Sequence, residues 1–134
     1  MERFADRRVI VTGAGSGIGQ ATTLRLLDEG ATVVAYDINE QGLENTAKLA
    51  SDRTRRLTTT VLDISSEPDV VAAVNAAVAE LGGLEVLVNV AALQTCSHTH
   101  ETTLADWNRT IAVNLTGTFL MTRQALPALL ASGR

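Results

Sequence analysis

The chain has 134 residues, a net charge of −4 and 46% hydrophobic side chains; that apolar fraction supports a folded domain with a real core rather than disorder. No basic cluster is longer than the pairs Arg7-Arg8 and Arg55-Arg56, so the concentrated positive footprint that nucleic acid requires is missing. A single cysteine, Cys96, a charged start at Met1–Arg8 without the apolar centre of a signal peptide, and no run long enough to span a membrane set the expectation of a soluble, cytoplasmic protein with no membrane partner.

Arg8–Thr12 reads as a short apolar strand, and the helix after Gly17 carries Ile18, Ala21, Leu24 and Leu27 on one stripe. Gly30 sits where a helix C′ glycine belongs. Ala31–Tyr36 is a second buried strand ending in Asp37, and Leu43, Ala47 and Ala50 mark a second amphipathic helix. Arg56–Leu62 reads as a third strand, closing on Asp63. Ser65-Ser66-Glu67-Pro68-Asp69 is a helix start, with a serine cap, acids in the first turn and a proline where the N–H would be unpaired. Val71, Val74, Val78 and Leu81 form the buried face of that helix, which ends at Gly82-Gly83.

Leu84–Val90 is a fourth apolar strand with Asn89 near its end, and Ala91–Thr102 is a polar loop. Thr103-Leu104-Ala105-Asp106 has capping-box spacing, with Asp replacing the usual Glu. A long helix follows to about Pro127, with Trp107, Ile111, Leu115 and Phe119 at i, i+4 spacing. The alternation of strands and helices, with strands apolar throughout, predicts a doubly wound parallel α/β sheet of Rossmann type in the order 3-2-1-4. Ligand then belongs at the carboxyl ends of the strands, where the glycine turn, Asp37, Asp63 and Asn89 all fall.

The turn after the first strand fits T-G-x-x-x-G-x-G from Thr12 through Gly13 and Gly17 to Gly19; it does not fit G-x-G-x-x-G. A strand feeding a helix through such a turn leaves helix N-terminal amides open to a phosphate or pyrophosphate. Asp37 can accept hydrogen bonds from both hydroxyls of an adenosine ribose and would repel a 2′-phosphate, which favours NAD(H) over NADP(H); its alternative is a solvated strand-end acid or a helix cap. Asp63 suits the adenine edge or the cap of its own turn. Tyr36 reads as a packing residue at the rim of the adenine pocket, and Lys48 as a solvated helix residue. Cys96-Ser97-His98-Thr99-His100 has a Cys-x-His-x-His spacing but no evident fourth ligand, so it reads as a polar loop and no metal is expected.

Together these residues resemble the short-chain dehydrogenase/reductase family over essentially the whole chain. Thr12–Gly19 matches its cofactor motif, Asp37 its NAD-selecting acid and Asp63-Ile64 its adenine contact. Its N-N-A-G motif stands here as Asn89-Val90-Ala91-Ala92, altered at two positions, and Val113-Asn114 matches its active-site asparagine, whose helix is distorted to hold a relay water. The resemblance implies cofactor contacts from Thr12, Gly13, Ser16, Gly17, Ile18 and Gly19, from Asp37 with Ile38, from Asp63 with Ile64, and from Asn89, Ala91 and Val113. It implies a catalytic role for Asn114. It also implies NAD as cofactor, a small secondary alcohol or ketone as substrate, and a homo-oligomer in the complete protein.

The family's serine and its Tyr-x-x-x-Lys lie beyond the long helix; here the one tyrosine and one lysine, Tyr36 and Lys48, stand elsewhere. Residues 1–134 are therefore expected to be an NAD-binding domain incomplete at its C-terminus and inactive alone, with an uncovered fourth strand as further motive. The alternatives are a catalytically inactive NAD-binding module and a SAM-dependent methyltransferase domain. The second would suit Gly13-x-Gly15-x-Gly17 and a strand-end acid, but usually carries an acid where this chain has Val11-Thr12.

Overall fold

The computed structural model describes residues 2–133; Met1 and Arg134, the limits of the expected domain, lie outside the described residues. Strands β1 (Arg8–Thr12), β2 (Thr32–Asp37), β3 (Leu57–Val61) and β4 (Val86–Val88) form one parallel sheet in the order β3-β2-β1-β4, as expected. Helices α1 (Gly17–Asp28), α2 (Glu40–Ala50), α3 (Glu67–Leu81), α4 (Leu104–Ile111) and α5 (Thr118–Ser132) flank it.

Successive side chains of a strand point to opposite faces, and in β1 and β2 both faces are covered. Ile10, Val34 and Tyr36 pack with Val70 and Val74 of α3 and Met121 of α5. Val9, Val11, Val33 and Ala35 pack instead with Leu26 and Leu27 of α1 and Leu43 of α2. Burying a branched apolar side chain contributes about 1.5–3 kcal/mol, which is why the continuous apolar runs of these two strands sit at the centre. Register places Thr12 opposite Tyr36, and Tyr36 opposite Thr60, so the strands end at a common level and deliver their following turns to one edge.

Both outer strands are less apolar or shorter than expected. β3 reads Leu-Thr-Thr-Thr-Val, is only partly buried and leaves Val61 49% exposed, because it pairs on one side only. Arg56, expected in the strand, belongs to a 3-10 turn over Ser51–Arg56 and donates to the carbonyls of Leu27 and Ala31, both at 2.9 Å. β4 keeps three paired residues of the expected Leu84–Val90. Its start is tied to β1 by Glu85, whose carboxylate accepts from the Arg8 amide at 2.8 Å and from the Arg8 guanidinium.

The helices also rotate relative to their apolar patterns. In α1 the buried residues are Gly19, Thr23, Leu26 and Leu27, while Ile18 is 75% exposed and Ala21 also faces out; the first turn must lie backbone-close to β1, which only small residues permit. In α2 Thr46 is buried in place of Ala47, its hydroxyl donating to Ala14 O at 2.8 Å. In α3 Val70, Val74 and Ala77 are buried, with Val71, Val78 and Leu81 at the margin. The stripe of Trp107, Leu115 and Phe119 is more than half exposed, and Ile111 is exposed too. The helix continues past Pro127 to Ser132, and a π-helical segment, Ala112–Gly117, separates α4 from α5.

Candidate functional site

The turn after β1 hangs from β2. Ala14 N donates to Tyr36 O at 3.0 Å and Gly15 N to Asp37 Oδ2 at 2.8 Å. Gly13 has φ +69, and a Cβ on it would stand 2.7 Å from Ala91 N; a Cβ on Gly19 would stand 1.9 Å from Gly13 O. Glycine is therefore required at both positions to let β1, the end of β4 and the first turn of α1 meet backbone to backbone. The first intrahelical bond of α1 runs from Gln20 N to Ser16 O at 3.0 Å, so the amides of Gly17, Ile18 and Gly19 precede it and lie at the positive end of the helix dipole. Ser16 occupies the cap position without a side-chain cap bond.

Asp37 closes β2. Its Oδ1 accepts from Asn39 N at 2.9 Å while Oδ2 holds Gly15 N; each carboxylate oxygen retains further acceptor capacity. Asn39, rather than Asp37, caps α2, accepting from Gly42 N at 3.0 Å. After β3, Asp63 Oδ1 accepts from Ser65 N at 2.9 Å and Ser65 Oγ at 2.6 Å. These bonds, helped by the charge of Arg109, hold the Asp63 carboxyl below its usual range.

The β4 side is assembled by side chains. Thr12 is buried, and its hydroxyl oxygen accepts from Val90 N at 3.1 Å and Ala91 N at 3.2 Å. Asn114, within the π-helical segment, accepts from Leu93 N at 2.7 Å and donates to Leu93 O at 2.9 Å, as a neighbouring strand would. Its own carbonyl accepts from Thr118 Oγ1 at 2.9 Å. Asn89 Nδ2 donates to Thr122 Oγ1 at 3.2 Å. Gly117 lets the helix approach, since a Cβ there would stand 2.7 Å from Ile64 Cγ1.

A cleft of about 360 Å³ opens where these pieces converge. Of the residues singled out in the sequence, Gly13, Ser16, Gly17 and Ile18 line it from the turn, and Asp37 and Ile38 from β2. Asp63, Ile64, Ala91 and Val113 complete that set. Thr12, Gly19, Asn89 and Asn114 do not line the cleft; they hold in place the segments that do. Tyr36 lines its floor and is 2% exposed; its hydroxyl donates to Ala73 O at 2.8 Å, and burial with the nearby Glu80 charge pushes it up to about 12. Arg109, which no motif marks, also lines the cleft. It comes from a helix remote in sequence from every strand end, so only the packing of α4 could reveal it. Cys96 is exposed and free, the rings of His98 and His100 stack at 5.9 Å, and the described residues contain no group of three metal-ligating side chains.

A parallel sheet ordered β3-β2-β1-β4, helices on both faces and a cleft at the carboxyl ends of its strands define a Rossmann-type α/β domain. The family model described as short chain dehydrogenase matches residues 7–134, and the chain belongs to that family. The cis-4-hydroxycyclohexanecarboxylate dehydrogenase of Sinomonas cyclohexanicum is 39% identical, over 98% of this chain and 53% of that protein. The D-threitol dehydrogenase of Mycolicibacterium smegmatis is 36% identical, over 98% of this chain and 50% of that one. Carveol dehydrogenase from Mycobacterium avium, solved in complex with NAD, superposes with a TM-score of 0.92 at 29% identity, over 100% of this chain and 53% of that one. The chain thus spans about half the length of the relatives it matches. Family membership does not favour the methyltransferase alternative.

Proposed function

We propose that the chain is the cofactor-holding part of an NAD(H)-dependent oxidoreductase acting on a small secondary alcohol or ketone. One observation carries the assignment: the glycine turn, Asp37 and Asp63 open on a single cleft. The amides of Ser16, Gly17 and Ile18 would receive the pyrophosphate. Asp37, with Ile38 beside it, would accept the adenosine ribose hydroxyls; Asp63, Ile64 and Val113 would border the adenine. Ala91 would serve the nicotinamide side, with Thr12, Gly19 and Asn89 holding the turn and strands that line the cleft. The nicotinamide supplies the hydride chemistry when bound. The NAD in the carveol dehydrogenase complex and the alcohols in the relatives' names agree in chemical class with these assignments.

Asn114 would take the active-site asparagine's role, and the π-helical segment around it provides the helix distortion such a role needs. Neither Tyr36 nor Lys48 can act as the acid/base. Tyr36 is buried, bonded to Ala73 O and shifted upward, away from a usable pKa, and Lys48 lies exposed on α2. The 134-residue chain alone is expected to bind the dinucleotide without turning over an alcohol. A cytoplasmic location accords with the free Cys96, and a homo-oligomer in the complete protein with the exposed apolar face of α4 and α5.

Fluorescence titration with NADH and NADPH tests the assignment. Hydrogen bonds to a charged acceptor contribute about 1.5–3 kcal/mol, so NADH should bind at least about tenfold more tightly, and Asp37→Ser should narrow the gap. A preference for NADPH would refute the role of Asp37.

A further inference from the structure

The glycine turn is held from behind as well as from β2. Gly42, in the first turn of α2, has no room for a side chain: a Cβ there would stand 2.7 Å from Gly15 O. One turn later Thr46 is fully buried, and its hydroxyl donates to Ala14 O at 2.8 Å, with Gly42 O at 3.0 Å as second acceptor. Thr23 and Thr118 bond the carbonyl four residues back; Thr46 reaches in addition a carbonyl 32 residues away along the chain. Gln20 of α1 completes the brace, its Nε2 donating to Thr46 Oγ1 at 2.9 Å and to Gly15 O at 3.4 Å. Gln20, Gly42 and Thr46 all stand outside the lining of the cleft.

A trans peptide unit sends its C=O and the following N–H in opposite directions. Ala14 O drawn to Thr46 therefore sends Gly15 N the other way, and that amide meets Asp37 Oδ2 at 2.8 Å. Gly15 O drawn to Gln20 likewise sends Ser16 N away from α2, and Ser16 lines the cleft. A carbonyl oxygen in place of that amide would repel a phosphate. Resting on the nucleotide reading above, we propose that Thr46, backed by Gln20, is a positioning residue for the pyrophosphate: it holds the Ala14 and Gly15 carbonyls toward α2 and so aims the amides that follow at the phosphates. Donors fixed in advance need no rearrangement when the anion arrives.

The test compares NADH with adenosine, which keeps the base and ribose and lacks the pyrophosphate. Kd values for both are measured by NMR titration on the 134-residue chain and on Thr46→Val, Thr46→Ser, Gln20→Met and Leu27→Ala, with melting curves for each. Leu27, fully buried in the same layer near the far end of α1, is the stability control. Thr46→Val should weaken NADH by about tenfold, the loss of one hydrogen bond to a charged group, and adenosine by less than about twofold. Adenosine is spared because Asp37 is also fixed by β2 and by Asn39 N. Thr46→Ser, which keeps the hydroxyl, should bind NADH nearly as the wild type does, and Gln20→Met should fall between. If Thr46→Val does not melt cooperatively, the same comparison on Gln20→Met decides. Equal weakening of NADH and adenosine, unchanged NADH binding, or a loss in Leu27→Ala as large as in Thr46→Val overturns the proposal. So does a Thr46→Ser no better than Thr46→Val. A wild type that fails to bind NADH refutes the nucleotide reading itself, and with it this one.

Discussion

The two flanks of β1 are joined to it by different means. Toward β2, backbone does the work: five residues pair in parallel register from Arg8 to Thr12, and the glycine turn continues onto Tyr36 O and Asp37. Toward β4, pairing covers only Val9 to Val11, and the chain beyond is carried by Thr12 Oγ1 and the Asn114 amide. Those side chains present donors and acceptors as a strand would, so one substitution can remove what a ladder would share among many bonds. The β4 flank also leans on a helix that is buried on one side and bare on the other: Met121 is fully buried, and Leu115 is 65% exposed.

The largest expected effect lies under the β4 flank. Met121→Ala should cost about 2–5 kcal/mol, as core truncations of this size do, measured by urea unfolding, and should speed amide exchange at Val86–Val88 ahead of Val33–Tyr36. Equal acceleration on both sides would erase the distinction between flanks. Thr12→Val keeps the shape but removes the acceptor for two amides; leaving such donors unpaired costs about 1–3 kcal/mol. Exchange should quicken at Val90 and Ala91 while the Ala14 amide, held by Tyr36 O, stays protected. Leu115→Gln should shift stability by no more than about 0.5 kcal/mol, the usual range for a surface site. A loss as large as that of Met121→Ala would show that this face is covered in solution.

The sheet was legible in the sequence because continuous apolar strands alternating with helical patterns admit few arrangements, and its order matches expectation. The glycine turn with its following acids was legible because spacing alone places them at strand ends. The buried faces of α1 and of the long helix were not. Periodicity shows that Ile18, Trp107, Leu115 and Phe119 share helical spacing, but says nothing of what lies opposite them. Ile18 faces the cleft, and the other three face outward.

The sequence by itself determined the α/β class, the strand order and the position of the cleft, since these follow from local patterning and short connections. Only the tertiary structure decided that Thr12 and Asn114 bind backbone rather than line the cleft, that Asn114 sits in a π-helical segment, and that Arg109 reaches a site assembled from distant strands. The physical reason is range. Apolar spacing and turn chemistry act over a few residues, whereas a side chain's partner depends on which segments the packed core brings together.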